Sequence, residues 1–232
     1  LALPGYELIQ LGTDGGFIEQ PQTLDELLLV PGERADIAVV AKDGAMDPLD
    51  WETLPYDRGH GTGDLPAASV FELRPIGDTP IETPLLPDEF LSIPPLGAAT
   101  VMRELKLDES MMGAHGGHGS AMGPVFSING HVYPDGERFL ANLGDVEEWS
   151  VVNTTEMDHP FHLHGFRFQV VSNDGVPPPY LAWHDTVNVP ANETVKLRLH
   201  LEDHPGTWMF HCHILEHAER GMMGELEVRG AE

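Results

Sequence analysis

Short apolar or alternating runs recur along the whole chain, and they constrain its fold more than any other feature. They include "ADIAVV", "SVFEL", "VFSING", "EEWSVVN", "FRFQVVS", "DTVNVP", "TVKLRLHL" and "GELEV", separated by Gly, Pro, Asn and Asp. Short runs with a period of two and frequent turn residues are typical of the antiparallel strands of a sandwich or barrel. We therefore predict an all-β fold. Helical turns are expected only in "TLDELLLV" and directly after Cys212.

A change of composition divides the chain. Residues 75–100 contain six prolines, which indicates an extended linker. The segment 101–232 contains enough strand-like runs for a complete sandwich. The segment 1–74 contains only three or four, which is too few to bury both faces of a sheet. We expect one complete domain preceded by part of another.

The charge balance excludes several classes of partner. The chain has 38 acidic and 12 basic residues, for a formal net charge of −26. Nucleic acid and anionic membrane surfaces need a basic face, so neither is an expected partner. A cationic or neutral substrate fits this charge better. No apolar run is long enough to span a membrane, and a single cysteine excludes an intrachain disulfide.

Histidine and cysteine form two clusters about 50 residues apart. The first contains His159, His162 and His164, and the second contains His211, Cys212, His213 and His217. Since successive side chains of a strand point to opposite faces, His211 and His213 share one face and Cys212 points to the other. His162 and His164 share a face in the same way. Two such neighbouring strands would present four imidazoles to one side, which suggests part of a multinuclear metal site.

On the opposite face, Cys212 needs other partners. His217 follows where the chain can turn back, Met222 lies ten residues after the cysteine, and His159 can approach from the neighbouring strand. Two imidazoles, a thiolate and a thioether are the ligand set of a blue-copper electron-transfer site. Three alternatives stay open: a zinc site, a nucleophilic Cys–His pair, and histidines with structural roles only.

A third segment, Met111–Gly123, is rich in glycine, methionine and histidine. It is either a surface loop or a soft-metal loop, since thioether and imidazole ligands suit Cu(I). Its candidate ligands are Met111, Met112, His115, His118 and Met122.

The patterns "HPFHLHG" and "HCHILEH…GMM" resemble the C-terminal copper signatures of multicopper oxidases, the laccase-like and cuprous-oxidase family. "LGTDGGFIEQP" and "LLLVPGERADIAVV" are similar to the second half of that family's middle domain. The resemblance implies Greek-key cupredoxin β-sandwiches: part of the middle domain at 1–74, and the last domain at 101–232. It also implies copper ligands: His159, Cys212, His217 and axial Met222 for type 1 copper, His162 for type 2 copper, and His164, His211 and His213 for the type 3 pair.

The resemblance further implies a laccase-like oxidase that couples one-electron oxidation of phenols, aromatic amines or metal ions to reduction of O2 at a trinuclear copper cluster. A cuprous or other metallo-oxidase and a cupredoxin electron carrier are the alternatives. The family's other two His-X-His motifs are not in this chain, so we expect an N-terminal portion of the same protein as a partner. Family members suggest an extracellular or periplasmic location. The family's acidic residue after the last histidine is Ala218 here, which leaves Glu216 or Glu219 as candidate proton donors.

Overall fold

The computed structural model describes residues 1, 3, 5–42, 48–61, 63–77, 86–110 and 123–230. Within these ranges the chain forms fifteen strands and one helix, which confirms the all-β prediction. The strands are β1 (Tyr6–Thr13), β2 (Gly16–Leu24), β3 (Ala35–Ala41), β4 (Leu49–Glu52), β5 (Ser69–Leu73), β6 (Val101–Ser110), β7 (Val125–Ile128), β8 (Phe139–Asn142), β9 (Val146–Asn153), β10 (His159–Leu163), β11 (Phe168–Asn173), β12 (Thr186–Val189), β13 (Thr194–His200), β14 (Gly206–Cys212) and β15 (Met223–Arg229), and the helix is α1 (Leu215–Glu219).

The strands after residue 100 form two five-stranded sheets that share one hydrophobic core. One sheet, which we call the site sheet, has the order β12-β10-β14-β15-β8, and the back sheet has the order β11-β13-β9-β6-β7. Side chains from both sheets meet in the core, among them Trp149 and Leu197 from the back sheet and Phe161 and Phe210 from the site sheet. Burial of these side chains is the main source of stability of such a sandwich.

Two strand pairs are parallel, which the sequence patterns did not predict. β6 runs parallel to β9, and β8 runs parallel to β15. Parallel neighbours need a crossover connection, and here the chain leaves the back sheet after β7, forms β8 in the site sheet and returns as β9. The pattern of apolar residues gives the buried face of a strand but not the direction of its neighbour.

The first part of the chain forms two small sheets, β2-β1-β3 and β4-β5. Leu3, Tyr6, Leu8 and Trp51 form a small core between them. The helical turn expected in "TLDELLLV" is wrong, because its first two residues continue β2 and pair with β1. The helical turn expected after Cys212 is confirmed as α1.

The described residues of the segment 75–100 lie outside helices and strands and contact both parts of the chain. The amide of Ile93 donates to the Glu19 side chain of β2 at 2.6 Å, and the amide of Leu96 donates to Gln169 of β11 at 2.9 Å. The end of β1 also reaches the sandwich, where Thr13 Oγ1 donates to the carbonyl oxygen of Trp183 at 2.6 Å. The boundaries at residues 75 and 100 stay predictions. In the part of the chain that the structure describes, no helix is long and apolar enough to cross a membrane.

Candidate metal centre

The candidate site lies on the adjacent strands β10 and β14 of the site sheet. These strands pair antiparallel, with Phe161 opposite Cys212 and His162 opposite His211. Because side chains alternate, the core face of this pair carries His159 and Cys212, and the outer face carries His162 and His211. One strand pair therefore supplies two clusters on opposite faces.

The core-facing group, which we call the closed cluster, contains His159, Cys212 and His217. Cys212 Sγ lies 3.6 Å from Nδ1 of His159 and 3.6 Å from Nδ1 of His217, and the two Nδ1 atoms are 3.1 Å apart. All three residues are buried, with exposed fractions of 0 to 6%. The spacing leaves room for one ion held by three ligands.

Met222 belongs to the same part of the core. Its side chain is fully buried, and it packs in the hydrophobic cluster that includes Cys212. Its amide donates to the carbonyl oxygen of His217 at 3.0 Å, and its own carbonyl oxygen accepts from the amide of Cys212 at 3.1 Å. The turn formed by α1 thus returns both His217 and Met222 to the strand that holds the cysteine.

Two residues that the sequence patterns did not single out orient the imidazoles of the closed cluster. Thr155 Oγ1 lies 2.8 Å from His159 Nε2, and its hydroxyl donates to Asn153 Oδ1. The hydroxyl oxygen therefore accepts from Nε2–H, and the lone pair of Nδ1 faces Cys212. Phe126 stacks on His217, with ring centroids 3.9 Å apart and an angle of 20°. In the sequence, Thr155 lies four residues before His159 but belongs to no recognisable motif. Phe126 is part of a strand-like run, which gives no indication of a contact with His217.

The outer group, which we call the open cluster, contains His162, His164, His211 and His213. His164 Nε2 lies 3.0 Å from His211 Nε2. The ring of His162 lies 4.9 to 5.3 Å from the rings of the other three histidines. His162, His164 and His211 offer ligand atoms within 4.8 Å of one another. The structure therefore brings together the four imidazoles that strand alternation placed on one face.

The described part of the chain leaves one side of the open cluster exposed. His164 is an exposed residue, and His162, His211 and His213 are partly exposed. A wide opening of about 390 Å³ borders His162 and His164. The open cluster is therefore half-enclosed, whereas the closed cluster is fully enclosed.

A family profile described as multicopper oxidase matches residues 104–232, which include both clusters. The chain belongs to the multicopper oxidase family. A multicopper oxidase of Staphylococcus epidermidis is 28% identical over 94% of this chain and 42% of its own length. A laccase of Haloferax volcanii is 32% identical over 86% of this chain and 34% of its own length.

A solved multicopper oxidase of Campylobacter jejuni, described as a metallo-oxidase, matches with a TM-score of 0.83 at 32% identity. The match covers 99% of this chain and 50% of that protein, and it confirms the predicted cupredoxin fold. The chain thus spans about half the length, or less, of these multicopper oxidases.

Burial changes the protonation of the closed cluster. It lowers the pKa of His159 to about 3 and that of His217 to about 4, and it raises the pKa of the Cys212 thiol to about 12. In the metal-free protein the imidazoles are therefore neutral at pH 7 and the thiol is protonated. Burial also lowers the pKa values of His164 and His211 in the open cluster. Neutral imidazole is the form that binds a metal ion.

The first part of the chain supplies contacts to the open cluster that the sequence patterns did not indicate. Gly32 lies so close to His213 that a Cβ atom at that position would stand 2.4 Å from the ring. Arg34 makes a bidentate ion pair with Asp185, with both N–O distances 2.7 Å. Burial would raise the pKa of the Asp185 carboxyl, but hydrogen bonds from His162, Arg34 and Thr186 lower it. The motif "PGER" showed only a turn, and Asp185 was part of a strand-like run.

Of the remaining predicted site residues, the structure describes only Glu216 and Glu219. Glu216 and Glu219 are exposed on α1, and their role as proton donors stays a prediction. Met111, Met112, His115, His118 and Met122 lie outside the described residues.

A cavity of about 440 Å³ lies between the first part of the chain and the start of β10. Most of its lining is apolar and comes from the first part of the chain, including Leu27, Leu54 and Pro55. Asp158 and Pro160, which flank His159 in the sequence, line the cavity together with Asn188 and Ile214. The carboxylate of Asp158 accepts hydrogen bonds from Tyr56 at 2.5 Å and Asn188 at 2.9 Å.

Proposed function

We propose that this chain is the C-terminal portion of a laccase-like multicopper oxidase that couples one-electron oxidation of a small substrate to four-electron reduction of O2 to water. The observation that carries the proposal is the position of Cys212. Its side chain belongs to the closed cluster, while its covalent neighbours His211 and His213 belong to the open cluster. One residue of main chain on either side therefore connects an electron-transfer site to a multinuclear site.

The donor set of the closed cluster fits copper. Two neutral imidazoles and one thiol converge in a buried site, with the side chain of Met222 in the same core. This set is typical of electron-transfer copper, in which the thioether is a weak axial ligand. We assign His159, Cys212, His217 and Met222 to type 1 copper. A zinc site, the alternative, would not require the four imidazoles on the opposite face of the same strands.

The open cluster supplies half of a second site. We assign His162 to type 2 copper and His164, His211 and His213 to the type 3 pair. When bound, copper in these two clusters would supply the one-electron oxidation and the reduction of O2. The protein holds the imidazoles neutral and in place and excludes water from the closed cluster. The exposed side of the open cluster fits the proposal that further ligands come from the N-terminal portion of the protein.

The cavity lined by Asp158 and Pro160, the neighbours of His159 in the sequence, supports an organic reducing substrate. Its lining is mainly apolar with a few polar groups, as is typical of sites for small organic molecules. We therefore infer that phenols or aromatic amines bind there. Leu54→Asp should raise the KM for an aromatic amine several-fold and leave Cu(I) oxidation unchanged. Val176→Asp, at another exposed apolar residue that lies outside the cavity, is the control.

A metallo-oxidase is the second candidate, because the Campylobacter jejuni relative is described as one. In that case the Met111–Gly123 segment would act as a Cu(I) loop. Deleting this segment should then slow Cu(I) oxidation and leave phenol turnover unchanged. If the deletion changes neither the rate of Cu(I) oxidation nor the rate of phenol oxidation, the loop has no catalytic role.

Copper counting, spectroscopy and O2 uptake on the full protein test the main proposal. We expect a strong visible thiolate–copper band, a near-ultraviolet shoulder from a coupled copper pair, and O2 consumption with a phenol. Copper in the closed cluster alone, with no O2 consumption, would indicate an electron carrier instead. We further propose an extracellular or periplasmic location, which cell fractionation would test.

A further inference from the structure

Three oxygen atoms face Nδ1 of His162, and all belong to two consecutive residues. The carbonyl oxygen of Asp185 lies 3.0 Å away, Thr186 Oγ1 lies 2.9 Å away, and Asp185 Oδ1 lies 3.4 Å away. A carbonyl or carboxylate oxygen can only accept a hydrogen bond at neutral pH. Of these atoms, only the Thr186 hydroxyl could also donate.

The Thr186 hydroxyl is already used as a donor. It lies 2.8 Å from Asp185 Oδ1 and donates to that carboxylate. Its oxygen is therefore left as an acceptor toward His162. All three oxygen atoms near Nδ1 accept hydrogen bonds, so the proton of the neutral ring lies on Nδ1. His162 is held as the Nδ1–H tautomer, and the lone pair of Nε2 is free for a ligand.

Asp185 is itself held from the first part of the chain. Arg34 donates to both of its carboxylate oxygens and also to the carbonyl oxygens of Gly32 and Asp14, each at 3.0 Å. The Asp14 carboxylate accepts from the main-chain amides of Asp185 and Thr186. Residues that precede His162 by more than 120 positions thus fix the pair that faces its ring.

We propose that Asp185 is a positioning residue for His162, clamped by Arg34, that sets the tautomer and orientation in which His162 binds metal. The inference rests on the proposed function in one respect, namely that His162 binds copper. Ring tautomer and orientation are commonly set by such partners, and their loss typically costs about 10- to 100-fold in metal affinity.

A contribution to stability does not explain the geometry of the Arg34–Asp185 ion pair. The side chain of Arg34 is 55% exposed, and an ion pair at that exposure contributes little to stability. Its bidentate form instead fixes the carboxylate plane, which decides where the Thr186 hydroxyl donates. A role in stability alone would not affect the tautomer of His162.

Asp185→Asn in the full protein is the decisive variant. The amide keeps the shape of the side chain but places an NH2 group against Arg34 in either orientation, and against Thr186 as well when it replaces Oδ1, so the bidentate clamp is lost. We expect the ring ¹⁵N shifts of His162 in the metal-free protein to show a second tautomer. The peak is assigned by its absence in His162→Gln. We also expect copper affinity of the open cluster to fall about 10- to 100-fold, while the visible thiolate–copper band is unchanged.

Asp108→Asn is the matched control, because Asp108 also accepts from a threonine hydroxyl and pairs with a cation, Lys106, but lies on β6 of the back sheet. Arg34→Gln is a second test at an exposed position, for use if Asp185→Asn does not fold. It should change the same signals to a smaller extent.

The possible outcomes separate the two proposals. Unchanged His162 shifts and copper affinity in folded Asp185→Asn, or in Arg34→Gln if that variant alone folds, would overturn the positioning role. A changed His162 tautomer in Asp185→Asn, together with no copper at the open cluster of the wild-type full protein, would support the positioning role and contradict the proposed function. An equal tautomer change in Asp108→Asn would show that the effect is not specific to Asp185.

Discussion

The closed and open clusters share one strand pair but differ in how complete they are. His159 and Cys212 point into the core, where Met222, Thr155 and Phe126 surround them. His162 and His211 point outward, where contacts come from distant segments and one side is exposed. A core-facing site is completed by the domain that contains it, whereas an outward-facing site depends on what packs against the sheet.

The largest expected effect comes from Cys212→Ser, which should separate the two clusters entirely. Removal of the only thiol should abolish the visible thiolate–copper band and substrate oxidation. Copper at the open cluster of the full protein should remain, because the imidazoles there do not depend on the sulfur. Absorption and electron paramagnetic resonance spectra would measure both. A visible band that persists in the variant would contradict the assignment of Cys212.

Gly32→Ala should reduce copper binding at the open cluster and spare the closed cluster, the reverse of Cys212→Ser. The added Cβ would stand 2.4 Å from the ring of His213, and the backbone at φ +89° disfavours any side chain. We expect a stability loss of about 1–3 kcal/mol and reduced copper at the open cluster, with the visible band retained. Copper content and urea unfolding would measure this.

Gly175→Ala is the control for Gly32→Ala, since its φ is +82° but nothing lies within 4 Å of the added atom. It should lose stability without losing copper. Equal copper loss in both variants would mean that backbone strain, rather than contact with His213, is responsible.

Acid should destabilise the metal-free protein mainly through the closed cluster. The folded-state pKa values of His159 and His217 are about 3 and about 4, below their ordinary value of 6.5. As the pH falls below 6.5 the unfolded state takes up protons that the folded state does not, so stability decreases until the folded pKa values are reached. The loss should be on the order of a few kcal/mol.

Urea unfolding between pH 7 and 4 would measure this slope. His217→Gln should flatten it, and His164→Gln should flatten it less because His164 is exposed. The same slope in His217→Gln as in the wild type would show that burial does not hold this imidazole neutral.

The smallest effect is expected from Phe126→Leu. Loss of the ring that stacks on His217 should cost about 1 kcal/mol and shift the visible band slightly, with the open cluster unaffected. Phe168→Leu is the control, because Phe168 is also buried and stacks on a histidine, His184, that belongs to neither cluster. A spectral shift of equal size in both variants would contradict a specific role for Phe126.

The sequence was sufficient for the parts of the molecule that depend on strand alternation. The all-β fold follows from the spacing of apolar runs, and the opposite faces of Cys212 and His211 follow from the period of two. Contacts between distant segments were not accessible in this way. Periodicity gives the face on which His162 lies, but not that Asp185 and Arg34 come together behind it. The parallel pairs β6–β9 and β8–β15 were missed for the same reason.

The contacts of Gly32 and Arg34 also bear on how new oxidases can be made by recombining relatives. The proline-rich segment 75–100 is the obvious crossover point, since the composition changes there. A crossover at that point would separate Gly32 from His213 and Arg34 from Asp185, and would combine each with a residue from another parent. Chimeras that inherit the turn 30–34 together with residues 101–232 should therefore load copper more often than chimeras divided within residues 75–100.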